Sequence, residues 1–367
     1  MLLIPFIVLL IADIIQPKSK ILSVVTGILF TFVFAFEYVK GDLQQYENFY
    51  NTESLSLFLR HYEPFFALPL TLFKISGLPF GAFRLFFTLV YVFMNWKFIK
   101  EATDYKALAL ILIFVYPSMH FISVMRSGMA TGVVLLSIWI LVRGGMHAKR
   151  NYIIGIVCAT LCHYSSIFFL LFLLVDINKE IDYRKFLGLL FISIVATFIL
   201  NFTDLPMKLL SSLTSREKTL AWITNGTRIN LTGTLVIFGL LGISAYLSWE
   251  ARYLCHTNGA PLLLTRKQIN LSSYSYNISL ILLLCLPIFV YTGTSQRLIY
   301  MMAAINICSW LNAAKVLRET PGNQRVLPIF SVMVVIFIFV WRIAIDLPYI
   351  KDGAIPFAEL VSTKFVF

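Results

Sequence analysis

Arg126, in the run HFISVMRSGMATGVVLLSIWILV, and His163, in IIGIVCATLCHYSSIFFLLFLLV, are ionisable side chains set at the edges of segments apolar enough to enter a bilayer. An ionisable group there is costly unless it faces a polar cavity or a partner, which makes each residue a functional candidate by default. Arginine stays charged and offers a planar fork to two oxygens at once, which suits phosphate. Histidine at a helix break can move a proton near neutral pH or hydrogen-bond a hydroxyl. The chemistry these two types suit is the handling of an anionic or sugar-like group.

Other residues extend that chemistry. The segment Glu37 to Phe66 holds the carboxylates Glu37, Asp42, Glu47, Glu53 and Glu63 among tyrosines 38, 46, 50 and 62. Carboxylates beside aromatic faces bind sugars through hydroxyl hydrogen bonds and ring stacking, although a solvated amphipathic loop has the same composition. Five arginines, Arg84, Arg126, Arg228, Arg297 and Arg342, fall at the boundaries of apolar runs. Together they fit a diphosphate headgroup; singly, each could pair with a loop carboxylate or snorkel to the interface. Arg126 is set apart by the small residues that follow it, Ser127, Gly128 and Ala130, which let groups approach the backbone closely. The histidines form no HxxxH pair and no DxD motif occurs, so metal binding has weak sequence support, and the Ser-His neighbours lack the GxSxG elbow of a hydrolase.

The elements that must position these residues are membrane helices. With 367 residues, 59% of them hydrophobic and 13% charged, the chain is not a water-soluble domain, because apolar segments recur from end to end. Helices are predicted near 1–15, 21–37, 82–96, 106–117, 122–142, 186–201, 232–248, 271–290, 297–312 and 327–344. Residues 1–15 lack a basic n-region and a cleavage site and read as a retained first helix. The run 64–76 is too short to cross, and 152–175 is interrupted by HYSS. The basic loops share one side of the membrane only if both of these segments are broken or re-entrant, which bilayers tolerate where backbone lines a cavity. The expected fold is an all-α polytopic membrane protein with about 10–13 transmembrane helices, one or two of them broken or re-entrant. It forms a single domain over 1–367 with external loops near 38–63 and 202–231. The net charge of +12 fits cytoplasmic loops that set orientation and not a nucleic-acid partner. The five cysteines show no CxxC pairing and read as small core residues.

In their order, GDLQQYENFY from Gly41, EPFF from Glu63, MRSGMA around Arg126, HYSS around His163 and RLIYMM from Arg297 resemble the Wzy and EpsG-like family of bacterial polysaccharide polymerases. The motifs are short, and the resemblance rests on their order over residues 40 to 310. It implies a GT-C-like, inverting, metal-independent glycosyltransferase without a cofactor, acting at the periplasmic face of the bacterial inner membrane. Such enzymes, of which O-antigen polymerases are an example, join repeat units carried on undecaprenyl pyrophosphate. A chain-length regulator is a possible protein partner. On that reading Arg126 and Arg297, with Arg84 as a third, hold the pyrophosphate. Asp42, Glu63 and His163 orient or deprotonate the acceptor hydroxyl, with Glu63 favoured, and Tyr46, Tyr50 and Tyr62 hold sugars.

Three rivals share parts of this pattern. The polysaccharide ligase uses the same lipid carrier and also needs external arginines. A flippase would show two similar halves, which are not visible, and a path of charged residues through the membrane. A membrane-bound acyltransferase would need its histidine on the cytoplasmic side.

Overall fold

Apolar runs bounded by Pro, Gly and short polar stretches fold as helices throughout the computed structural model, which describes residues 3–16, 18–36, 42–52, 62–114, 124–174, 181, 183–202, 231–257, 260–287 and 297–319. The elements are α1 (Leu3–Ile15), α2 (Lys20–Phe36), α3 (Asp42–Thr52), α4 (Pro64–Ile75), α5 (Phe80–Ala102), α6 (Lys106–Ile113), α7 (Met125–Arg143) and α8 (Ala148–Cys162). A 3₁₀ helix (Tyr164–Leu174) follows, then α9 (Tyr183–Phe202), α10 (Leu231–Cys255), α11 (Ala260–Leu263), α12 (Arg266–Leu284) and α13 (Arg297–Glu319). Among the described residues there is no strand, so the all-α expectation holds. Two described helices, α5 and α7, are long and apolar enough to cross a membrane on length and composition.

Several boundaries move for identifiable reasons. The helix predicted from 271 begins at Arg266, because Thr265 and Gln268 form a reciprocal capping box that starts it earlier. The helix predicted over 82–96 runs from Phe80 to Ala102, since Pro79 supplies the N-terminal stop and nothing breaks it before Thr103. The predicted helix 327–344 and residues 203–230 fall outside the described residues, as do 38–41 and 53–61, and the rest of the predicted loop 38–63 holds the helix α3 and the residues before α4. All five cysteines are free thiols.

The pair α7 and α8 is the frame on which the site is built. The turn between them needs positive φ at Gly144 (+74°) and Gly145 (+113°), a region that L side chains rarely adopt. The chain therefore folds back on itself and brings the start of α7 and the end of α8 to the same end of the hairpin. Small residues let the two helices touch: a Cβ on Gly155 would lie 2.0 Å from Ser137 Oγ and 2.9 Å from Ser137 Cβ. Gly155→Val should accordingly force the hairpin apart and destabilise the protein by about 1–3 kcal/mol, the usual cost of overpacking. A lowered thermal midpoint in detergent checks this, with the exposed glycine change Gly188→Val as the neutral control.

Contacts along the neighbouring helices define two ends. Trp139 Nε1 donates to Glu101 Oε2 at 2.9 Å, which sets α5 and α7 parallel. Asn312 Nδ2 donates to the Ala102 carbonyl at 2.9 Å, Lys315 pairs with Asp104 at 2.6 Å, and Asn270 Nδ2 donates to the Val142 carbonyl at 3.3 Å. One end of the bundle thus gathers the last turns of α5, α7 and α13 with the first turn of α12. The first turns of α5 and α7 and the last turn of α8 lie at the opposite end.

A second group of helices is joined by buried polar side chains that the sequence reading did not single out. Asn306 on α13 donates to Ser244 of α10 at 2.9 Å and to Ser279 of α12 at 3.3 Å, and it accepts from Ser275 at 2.8 Å. Trp310 Nε1 donates to Ser248 at 3.2 Å. Such bonds average about 0.6 kcal/mol each in membrane helices, so this network fixes the packing of α10, α12 and α13 more than it adds stability.

Candidate active site

At the end that holds the first turns of α5 and α7 and the last turn of α8, three side chains from distant parts of the sequence meet. Glu63 stands in extended conformation (φ −65°, ψ 146°) immediately before α4, where Pro64 takes a first-turn position in which its missing N–H leaves no bond unmade. Arg126 is in the first turn of α7. His163 follows the last residue of α8 in extended conformation (φ −160°, ψ 120°), so the helix break expected at HYSS falls at the histidine itself.

Arg126 Nη1 lies 2.7 Å from Glu63 Oε2, and His163 Nδ1 lies 3.3 Å from Glu63 Oε1. The backbone N–H of Tyr164 also donates to Oε1, at 3.3 Å. One carboxylate therefore ties the start of α7 to the end of α8. The Glu63 side chain is 2% exposed, whereas Arg126 keeps 23% and His163 15%. Burial pushes the Glu63 carboxyl up, but the hydrogen bond from His163 and the positive charge of Arg126 outweigh it and hold the group at about 2. Glu63 is an anion at any physiological pH.

Tyrosines enclose the guanidinium. Tyr46, on α3, accepts a hydrogen bond from Arg126 Nε at 3.1 Å, and the Arg126 carbon Cζ sits 5.5 Å from the Tyr46 ring centre and 5.2 Å from that of Tyr62. The two rings meet edge to face with centres 5.6 Å apart, a geometry that leaves their faces to the cation. Below them Tyr50, Phe66, Phe80, Phe83 and Phe87 form a buried aromatic cluster that seats α3 on α4 and α5. Only two of the five guanidinium N–H groups meet protein atoms among the described residues, Nε on Tyr46 and one of Nη1 on Glu63. Among the described residues the two N–H groups of Nη2 meet no protein acceptor.

The structure sorts the other candidates. Tyr50 is buried, and its hydroxyl donates to the Leu78 carbonyl at 2.7 Å while Lys74 donates to its backbone carbonyl, so it pins α3 to the turn after α4 and does not face Arg126. Arg84 is buried at 8% exposure and lines a cavity of about 20 Å³ with Thr88, Tyr91, Met125 and Gly128, room for one water-sized group beside the first turn of α7. Asp42 opens α3 and Arg297 opens α13, and the side chains of both lie outside the described residues, as do Arg228 and Arg342. Among the described residues no three His, Cys, Asp or Glu side chains gather as a metal would require. The contact that sequence reasoning missed is the Tyr164 N–H to Glu63, a backbone bond that carries no side-chain signature.

No curated protein and no solved structure matches the chain. A family model does, over residues 20–358, a span that includes the Glu63 element and the whole α7–α8 hairpin. Nearly the entire chain follows one family pattern, and it therefore belongs to the EpsG family of polysaccharide polymerase-like membrane proteins.

Proposed function

We propose that the protein is a polysaccharide polymerase. In this reading it is an inverting glycosyltransferase that moves a growing glycan from one undecaprenyl-pyrophosphate carrier onto the terminal sugar of another lipid-linked repeat unit. The observation that carries the proposal is the half-buried Arg126, held by Glu63 and two tyrosines, with the N–H groups of Nη2 meeting no protein acceptor among the described residues.

The arrangement suits the reaction. As the glycosidic bond to the carrier breaks, its electron pair leaves with the pyrophosphate, and negative charge grows on the bridging oxygen. Fixed guanidinium donors in a site shielded from water stabilise that charge without reorganising. Arg126 supplies them, and Arg297 remains assigned to the same diphosphate, while Arg84 is buried beside a cavity that has room for one water-sized group. Two arginines neutralise a diphosphate as a divalent ion would, which is the basis for a metal-independent scheme. Of the two tyrosines, Tyr62 keeps partial exposure for a sugar ring, whereas Tyr46 is buried against Arg126, Tyr62 and Phe66.

Orientation follows from charge. The end that gathers Arg143, Lys149, Arg150, Lys315 and Arg318 belongs on the cytoplasmic side by the rule that basic residues stay inside. The Glu63, Arg126 and His163 cluster then faces the periplasm, where finished lipid-linked units are exposed. On this account the chain is a polytopic inner-membrane protein of GT-C-like architecture.

The test is genetic. Deleting the gene in its source strain should collapse the ladder of surface glycan lengths to a core bearing one repeat, restored by the wild-type gene. Loss of every repeat would favour the ligase or the flippase instead, and an unchanged ladder would reject the polymerase.

A further inference from the structure

The two nitrogens of the His163 ring stand in different surroundings. Nδ1 faces Glu63 Oε1 at 3.3 Å, while Nε2 meets no hydrogen-bonding group among the described residues. Glu63 is ionised and has only lone pairs to offer, so a contact with Nδ1 is a hydrogen bond only if Nδ1 carries the hydrogen. The same Oε1 accepts from the N–H of Tyr164, the next residue, which fixes the carboxylate relative to the backbone that bears the ring. In neutral His163 the lone pair is therefore on Nε2, and the side chain keeps 15% exposure.

Glu63 itself is badly placed to take a proton. Its Oε2 is engaged by Arg126 at 2.7 Å, and the side chain is 2% exposed. A carboxylate held that far down is also a weak base for a sugar hydroxyl.

Building on the polymerase reading, we propose that His163 is the catalytic base, acting through Nε2, and that Glu63 is a positioning residue that fixes the ring tautomer and ties it to Arg126. The acceptor hydroxyl loses its proton to Nε2 as its oxygen bonds the anomeric carbon from the face opposite the leaving group. The bond from that carbon to the pyrophosphate oxygen breaks, and its electron pair stays with the phosphate. The step ends with an imidazolium beside Glu63 and one further negative charge beside Arg126, so charge and protons balance. Glu63 then stabilises the imidazolium, and one carboxylate serves both halves of the transfer.

Solid-state NMR of the full chain in lipid, labelled with ¹⁵N-histidine and held above neutral pH, tests the assignment without any substrate. The His163 signals, identified by their loss in His163→Gln, should show a protonated Nδ1 and a bare Nε2. In Glu63→Gln the preference should disappear, because a carboxamide can donate as well as accept. A protonated Nε2 in the wild-type ring would overturn the proposal. In parallel, membranes supplied with lipid-linked precursor extracted from the deletion strain should lengthen it about 10²–10⁴-fold more slowly with His163→Gln than with wild type, the range for losing a general base. Polymerisation by His163→Gln at the wild-type rate would overturn the base assignment while leaving the polymerase intact. No lengthening even by the wild type would overturn both.

Discussion

Arg126→Ala should lower polymer formation by about 10²–10³-fold, the loss expected when one preorganised donor to a developing oxyanion is removed. The protein should still reach the membrane but be less stable, because Glu63, 2% exposed, loses its cation and keeps only His163 and the Tyr164 N–H as partners. Arg126→Lys should recover little. Lysine keeps the charge, but it lacks the fork that reaches Tyr46, Glu63 and a ligand oxygen at the same time. Glycan ladders from strains expressing equal amounts of each variant read the effect directly. A wild-type ladder from the alanine variant would remove Arg126 from the site.

Glu63→Ala damages the fold as well as the reaction. It leaves Arg126 without its anion and His163 without its orienting partner. The cost should be about 3 kcal/mol, the lower end for breaking a buried ion pair, since the Arg126 side chain keeps 23% exposure to soften the loss. Removing both partners is milder than removing one. The double variant Glu63→Ala with Arg126→Ala should therefore be more stable than Glu63→Ala alone, and equally inactive. Thermal midpoints of the purified proteins in detergent decide the matter. Additive losses in the double variant would mean that the two residues do not depend on each other.

Parts of this site were legible in the sequence for physical reasons. Arg126 and His163 stand out because ionisable groups beside apolar runs are costly, and the break at His163 is visible because HYSS interrupts a run otherwise long enough to cross. Pro64 marks the start of α4, which places Glu63 at its entrance. Periodicity could not show that Glu63 joins partners 63 and 100 residues away, because that depends on how the α7–α8 hairpin packs against α4. Tyr50 illustrates the same gap. By composition it belongs with Tyr46 and Tyr62, but its place on α3 directs the hydroxyl to a backbone carbonyl. The buried serine and asparagine network of α10, α12 and α13 was silent for a related reason: small polar residues spaced along apolar helices mean little until the helices are set side by side.

Membership in the EpsG family and a helical bundle that gathers Glu63, Arg126 and His163 at one end fit a common account. Its central claim is that this chain by itself joins lipid-linked units, and reconstitution tests that claim most directly. Purified wild-type protein in liposomes is given the lipid-linked precursor that accumulates in the deletion strain, with a chelator present and no nucleotide sugar. The account predicts chains of several repeats on a single carrier, together with free carrier pyrophosphate in proportion to the bonds formed. A precursor that stays one repeat long, with no carrier released, would contradict it.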